Sequence, residues 1–347
     1  MLVETRCIPR ARRFGARNFA FVLADLVLPD GVTPLRIVFM GTPGLAGASL
    51  EALLRAPAVR VVAVVTQPDR PKGRELRLQP SPVKEIALSA RLPVLQPLRA
   101  REESFLAALR DAQPELIAVA AFGQLLPQAL LDLPRLGCLN VHTSLLPRYR
   151  GAAPIQWAIA NGESETGVTI MKMDAGLDTG DILVQRSTPI LAEDNGETLH
   201  NRLAQIGADL LVETIPGYAA GRVKSRPQDH ALATLAPKIK KEDGRIAWGE
   251  PATTIGNRVR AFTPWPGVFT FLPALPRPQL LKIWRAEPIE AGGSEPGRLL
   301  PLSRDGMVVA CGVGALKISE LQIEGGRRMR VSEFLLGRPL APGLRLG

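Results

Sequence analysis

The stretch from Leu35 to Thr66 constrains the fold more than any other part of this 347-residue chain. Arg36-Ile37-Val38-Phe39-Met40 is a short apolar run stopped by Gly41-Thr42-Pro43-Gly44, and a helical pattern follows over Leu45–Arg55. A second β-rich run, Val59–Thr66, comes next. Strand, turn, helix, strand at this spacing is a βαβ unit, and two strands joined by such a crossover lie parallel. Further strands are expected at Leu116–Ala121, Cys138–Val141, Thr166–Met173 and Asp181–Ile190, with helices between them and one long helix over Glu197–Ala219.

The pattern changes twice. Gly221–Asp243 is polar and rich in Lys, Arg, Pro and Asp, and reads as a linker. Beyond it the hydrophobic period falls to two, in runs at Gly267–Leu272, Leu280–Ile289, Met307–Cys311 and Leu316–Ile323 separated by Gly and Pro turns. That describes a small all-β barrel or sandwich. The expected class is therefore α/β: a Rossmann-like domain with a mostly parallel sheet over residues 35–220, a linker over 221–243, and a small all-β domain over 244–347. Residues 1–34 carry Arg6, Arg10, Arg12, Arg13 and Arg17 and stand outside this pattern. A transit peptide, a bacterial extension and a start codon assigned too early all fit them.

Charge divides along the same line. The net charge is +10, and the chain from Arg222 onward holds 20 Lys and Arg against 11 Asp and Glu. A nearly neutral first part and a basic second part suit a polyanionic partner, nucleic acid above all. Cys7, Cys138 and Cys311 are odd in number and far apart, which argues against a disulfide framework and a C-x-x-C zinc site and favours a reducing compartment. No apolar run approaches the ~18 residues of a membrane span.

Three motifs bear on chemistry. Gly41-Thr-Pro-Gly44-Leu-Ala-Gly47 is spaced G-x-x-G-x-x-G, and Pro43 removes an amide that a phosphate would need. It reads as a tight turn beside a ligand crevice rather than a dinucleotide fingerprint. Thr66–Lys84 is a long insertion holding Arg70, Lys72, Arg74, Arg77 and Lys84 against Asp69 and Glu75, suited to phosphate contacts or to a solvated loop. Cys138–Gly151 is a strand followed by Ser144-Leu-Leu-Pro147, with Asn140 and His142 on one face by alternation. The chain has three His; His200 and His230 read as structural. An acidic loop with Asp174, Asp178 and Asp181 follows, without a phosphate-cradling loop to make it a Mg²⁺ site. Ser144 beside His142 lacks the G-x-S-x-G of a nucleophile elbow. An amide, an imidazole and a carboxylate together suit acyl transfer to an external nucleophile.

From Leu35 onward the chain resembles the methionyl-tRNA formyltransferase family. The resemblance rests on Asn140-Val-His142, Ser144-Leu-Leu-Pro147-Arg-Tyr-Arg-Gly-Ala-Ala-Pro154, Gly167-Val-Thr-Ile-Met and Leu177-Asp178-Thr-Gly-Asp181. Three further segments point to the tRNA enzymes: the basic insertion with Arg74, Lys238–Trp248, and Arg260-Ala-Phe-Thr-Pro264-Trp-Pro266. Leu45 and Thr143 depart from the family, which has an aromatic residue and Gly or Ala at these places.

The resemblance implies a metal-free formyl transfer from 10-formyltetrahydrofolate to the α-amine of methionine on initiator tRNA. Asn140 and His142 would donate to the developing oxyanion, and Asp178 would orient His142 and move the proton. Ser144, Leu145, Leu146 and Pro147 would line the folate site, with backbone near Phe122 and Gly123. Arg70, Lys72, Arg74, Arg77 and Lys84 would meet tRNA, as would Lys238, Lys240 and Lys241 of an OB-like C-terminal domain. The implied protein is a cytoplasmic monomer, or a mitochondrial matrix protein if residues 1–34 are a transit peptide. A formyltransferase acting on glycinamide ribonucleotide or an amino-sugar nucleotide would share the Asn/His/Asp set without needing the basic second domain. A non-catalytic RNA-binding protein would need that domain but not the Asn/His/Asp set.

Overall fold

The computed structural model describes residues 33–72, 77–274, 276–291, 294–301 and 306–347. The expectations for residues 1–32 and for Arg74 lie outside the described residues.

The first half contains β1 (Leu35–Gly41), α1 (Gly44–Arg55), β2 (Val59–Val65), a hairpin of β3 (Arg70–Lys72) and β4 (Arg77–Gln79), α2 (Pro82–Ser89), β5 (Val94–Leu95), α3 (Glu103–Ala112), β6 (Leu116–Ala120), α4 (Gln128–Leu131) and β7 (Cys138–His142). It continues through β8 (Arg150–Gly151), α5 (Pro154–Ala160), β9 (Glu165–Lys172), β10 (Ile182–Pro189) and α6 (Gly196–Ala219). Seven strands form one sheet in the order β10-β9-β7-β6-β1-β2-β5. All neighbours from β7 to β5 are parallel, while β9 runs against both β7 and β10. The mostly parallel sheet expected from the βαβ unit is present.

Both faces of β1 are buried, which is why its sequence is a continuous apolar run rather than an alternating one. Ile37 and Phe39 point to the layer of α1, α2 and α6, whereas Val38 and Met40 point to the layer of α3 and α4. Phe39 is fully buried at the centre of this sandwich. Its truncation to Ala leaves a void that a close-packed core cannot collapse, so we expect a loss of about 3–5 kcal/mol in urea unfolding. The midpoint should fall with the slope unchanged; an unaltered midpoint would refute this account of the core.

The long helix α6 begins where Asn195 accepts from the amides of Glu197 and Thr198, and Thr198 Oγ1 in return accepts from the Asn195 amide. This reciprocal cap fixes its first turn. Gly207 lets α6 lie directly on β7, because a Cβ there would stand 2.7 Å from Val141. The helix therefore backs the strand that carries Asn140 and His142.

The remainder contains β11 (Leu235–Ala236), α7 (Ala252–Ala261), β12 (Val268–Leu272), β13 (Gln279–Ile289), β14 (Met307–Ala310), β15 (Ala315–Ile323), β16 (Met329–Arg330) and α8 (Val331–Gly337). Strands β12-β13-β15-β14, with β16 on β15, make a five-stranded antiparallel sheet. Val268, Thr270 and Leu272 alternate inward with Phe269 and Phe271 outward, the half-buried pattern read from the sequence.

The two halves share one apolar core. Trp157 of α5 meets Phe262 edge-to-face at 6.2 Å. Arg260 donates to the carbonyls of Leu191, Ala192 and Asp194. Part of the Arg260–Pro266 motif thus docks the second domain on the first. The polar segment 221–243 joins the two and packs against the first domain: β11 pairs in parallel with β8, and Arg226 exchanges both main-chain hydrogen bonds with Ile182.

Candidate active site

Chain reversal sets the location. From β1 the chain winds one way, through α1 to β2, and from β6 the other way, through α4 to β7. At such a switch the loops after the strands part and leave a crevice at their carboxyl ends. A cavity of about 600 Å³ lies there. Its lining includes Pro43 and Leu45 after β1, Ala121–Leu126 after β6, Asn140–Thr143 of β7, Pro154–Gln156 of α5 and the loop Asp174–Asp178.

Asn140 and His142 are 9% and 5% exposed and face this cavity from one side of β7, as alternation required. Asp178 comes from the loop between β9 and β10 and meets both. Its Oδ1 lies 3.5 Å from Asn140 Nδ2, and its Oδ2 lies 3.7 Å from His142 Nδ1. The amide of Gly151 donates to Asp178 Oδ2 at 2.9 Å. His142 Nε2 sits 2.9 Å from the Tyr149 carbonyl. A carbonyl can only accept, so Nε2 carries a proton and Nδ1 is the nitrogen left facing Asp178. The contacts from Asn140 and His142 to Asp178 are long, which leaves their polar atoms available to a guest.

The three acidic residues of the loop do not converge. Asp174 accepts from the Gly176 amide and Thr179 Oγ1, Asp181 accepts from Ser225 Oγ, and only Asp178 turns to Asn140 and His142. Among the described residues, no group of three His, Cys, Asp or Glu is placed to hold a metal ion. Cys138 begins the same strand, but burial pushes its thiol up to about 12, so it is an inert core residue.

Phe122 and Gly123 line the cavity. Ser144, Leu145, Leu146 and Pro147 do not. The chain leaving β7 bends toward β9, and this turn is tied down there. Ser144 Oγ donates to the Arg148 carbonyl, the Leu146 amide donates to Thr169 Oγ1, and Gln185 donates to the Leu146 carbonyl. Leu146 packs on Met171 and Ile182 in a separate apolar cluster, and Leu145 abuts Gly167 on β9. The walls come instead from Leu45, Gln124, Leu125, Ile155 and Leu177, which the sequence reading did not single out as binding residues. The run Ala121-Phe-Gly-Gln-Leu-Leu126 immediately after a buried strand was the available signal. His200 also lines the cavity, from α6, and burial lowers its pKa, favouring the neutral ring. The two departures, Leu45 and Thr143, both stand on the cavity wall.

The basic residues are dispersed. Arg70 is exposed on β3, and Lys238, Lys240 and Lys241 are exposed at the entry to the second domain. Lys72 and Arg77 fall on the β3–β4 hairpin. Lys84 has an internal role: its ammonium pairs with Asp69 at 2.6 Å and Gln96 at 2.8 Å, anchoring the base of the insertion. The hydrogen bond from Lys84, foremost, and one from Gln96 Nε2 at 2.9 Å hold the Asp69 carboxyl below its usual range. On the outer face of the second sheet, cations stack on aromatic rings. Arg245 lies 5.6 Å from the Phe271 ring, and Lys282 and Arg328 lie 4.1 and 4.9 Å from the Trp284 ring. Phe269 and Phe271 pack edge-to-face between these groups at 5.9 Å. Period-two alternation in β12 and β13 held the signal for this face, but residue type alone did not show that the rings and cations meet.

Comparison with known proteins fixes the class. Residues 35–215 match the formyl transferase family model and residues 238–339 match the formyl transferase C-terminal domain. A methionyl-tRNA formyltransferase of Citrifermentans bemidjiense is 52% identical over 316 residues, covering 91% of this chain and 98% of its own. That of Geobacter sulfurreducens is 50% identical over 90% of this chain and 97% of its own. Among solved structures, an N-formyltransferase from Helicobacter canadensis, complexed with folinic acid and dTDP-3-aminofucose, superposes with a TM-score of 0.60 at 18% identity. It covers 85% of this chain and 100% of its own. HypX from Aquifex aeolicus with tetrahydrofolic acid superposes at 0.56 and 18% identity over 87% of this chain and 47% of its own. These two show the shared fold. The chain belongs to the methionyl-tRNA formyltransferase family.

Proposed function

We propose that this protein transfers the formyl group of 10-formyltetrahydrofolate to the α-amine of methionine on initiator methionyl-tRNA. The observation that carries the reading is the meeting of Asn140, His142 and Asp178 on the wall of a cavity at the switch point of the sheet, within a chain about half identical to methionyl-tRNA formyltransferases.

The cavity fits a folate. Leu45, Val119, Phe122, Leu125 and Ile155 offer apolar walls to a flat heterocycle, and the turn at Ala121–Gln124 brings backbone groups to its rim. Bound there, the co-substrate supplies a formyl carbon activated by its N10 leaving group. Asn140 Nδ2 donates to the formyl oxygen as negative charge develops on it. His142 gives its Nε2–H to the Tyr149 carbonyl, so it serves as the second donor through Nδ1 only as the imidazolium, whose Nδ1 proton lies between Asp178 and the cavity. Asp178, steadied by the Gly151 amide, keeps that proton in place. Directly or through a water, it also accepts the proton released by the attacking amine and returns it to the leaving nitrogen.

The catalytic unit spans residues 35–220, and residues 244–347 form the tRNA-binding unit of a cytoplasmic monomer. The insertion around Arg74 meets the acceptor end of the tRNA. Lys238, Lys240 and Lys241, with the cation–aromatic face of the second sheet, carry its backbone and stack exposed bases.

The decisive assay is formyl transfer to charged initiator tRNA, with uncharged tRNA and glycinamide ribonucleotide as parallel acceptors. Transfer to the charged initiator alone supports the reading, and transfer only to the small acceptor defeats it. Arg74→Ala should raise KM for methionyl-tRNA by about tenfold or more while hydrolysis of the formyl donor without tRNA stays at the parent rate. An equal loss in both reactions would remove the insertion from the tRNA interface.

A further inference from the structure

We infer that Gln228, in the segment between the two domains, is the positioning residue that fixes Asp178. The inference rests on Asp178 being the catalytic carboxylate proposed above. Asp178 has φ +52°, a left-handed backbone that an L-residue keeps only where its surroundings hold it. The loop before it is no support, since Asp174, Ala175, Gly176 and Leu177 are exposed. Support comes from Gln228, which is 5% exposed. Its Nε2 donates to the main-chain carbonyls of Asp178 at 2.9 Å and Gly180 at 2.6 Å, which pins the turn immediately after the Asp178 Cα.

The amide of Gln228 has one permitted orientation. Its Oε1 accepts from Arg150 Nε at 3.1 Å and Arg150 Nη2 at 2.7 Å, and a guanidinium offers no acceptor. A flipped amide would set two donors against Arg150 and an oxygen against two carbonyls. Both donors and both lone pairs of the side chain are therefore committed. Arg150 is buried and reaches His230 Nδ1 at 3.2 Å with the same Nη2, so it too is fixed. The next residue, Gly151, gives its amide to the Asp178 carboxylate itself. Gly151 has φ +121°, and a Cβ there would stand 2.7 Å from the Ala236 carbonyl of β11. The backbone of Asp178 and its carboxylate are thus both gripped from the interdomain segment and its partner strand β8, whereas β7 makes only the long contacts of Asn140 and His142.

Steady-state kinetics on the full chain test this. Gln228→Leu is one atom shorter and removes both donors together with the acceptor for Arg150. Misplacing a catalytic group by about 1 Å costs about 10²-fold, so kcat should fall about 10²-fold while KM for donor and for methionyl-tRNA stay within about twofold. Amides of 174–181 should lose protection from hydrogen exchange. Gln228→Glu keeps the acceptor for Arg150 but turns an anion toward two carbonyls, and should lose kcat similarly; it carries the test if Gln228→Leu does not fold. Asp178→Asn is measured alongside. An inactive Asp178→Asn with parental kcat in the folded Gln228 variants overturns this inference alone. An active Asp178→Asn overturns the reading beneath it. A raised KM for methionyl-tRNA at parental kcat would make Gln228 a tRNA contact and also overturn the inference.

Discussion

Asp178→Asn is expected to lower kcat for formyl transfer by about 10²–10⁴, the usual worth of a positioned proton carrier. The substitution is nearly isosteric, so an oxygen can still accept from the Gly151 amide and the left-handed turn at Asp178 persists. What disappears is the negative charge 3.7 Å from His142 Nδ1 and the only acidic group of the loop that turns to the strand. The KM values should change little, because the apolar walls of the cavity are left as they are. Single-turnover rates with saturating donor and charged tRNA measure the step directly. A variant retaining more than about a tenth of the parental rate would mean that protons travel by another route.

Asn140→Ala is expected to cost about 10²–10³ in kcat, as loss of one oxyanion donor does. Asn140 is nearly buried, and its Nδ2 has only a long contact at 3.5 Å to Asp178, so its donor is underused until a formyl oxygen arrives. The same loss is expected from His142→Ala, which removes the imidazolium whose Nδ1–H is the second donor. The double variant should be much less impaired than the product of the two, since the pair acts on one oxygen. A loss expressed only in KM, with kcat unchanged, would show that Asn140 binds the donor equally in ground and transition state and has no oxyanion role.

Much of this architecture was legible before any coordinate. A continuous apolar strand with both faces buried reads as such, and so does the period-two pattern of the second domain. Asn140 and His142 were legible because two residues apart on a strand always share a face. The exposed Lys238–Lys241 cluster was legible because surface charge needs no partner to be recognised.

What escaped the sequence depends on long-range closure. Ser144–Pro147 follow β7 directly, yet their hydrogen bonds to Thr169 and Gln185 draw them away from the cavity. Lys84 looks like its basic neighbours, and only its burial against Asp69 and Gln96 separates it from them. His200 and Gln228 each lie at least 22 residues from Asp178 along the chain, yet one lines the cavity and the other holds the carboxylate's loop. Periodicity and residue type are local properties, so the sequence by itself determined the elements and the faces they bury. Which separated side chains meet, and which polar groups satisfy one another out of water, is decided by packing at long sequence distance; that only the tertiary structure supplies.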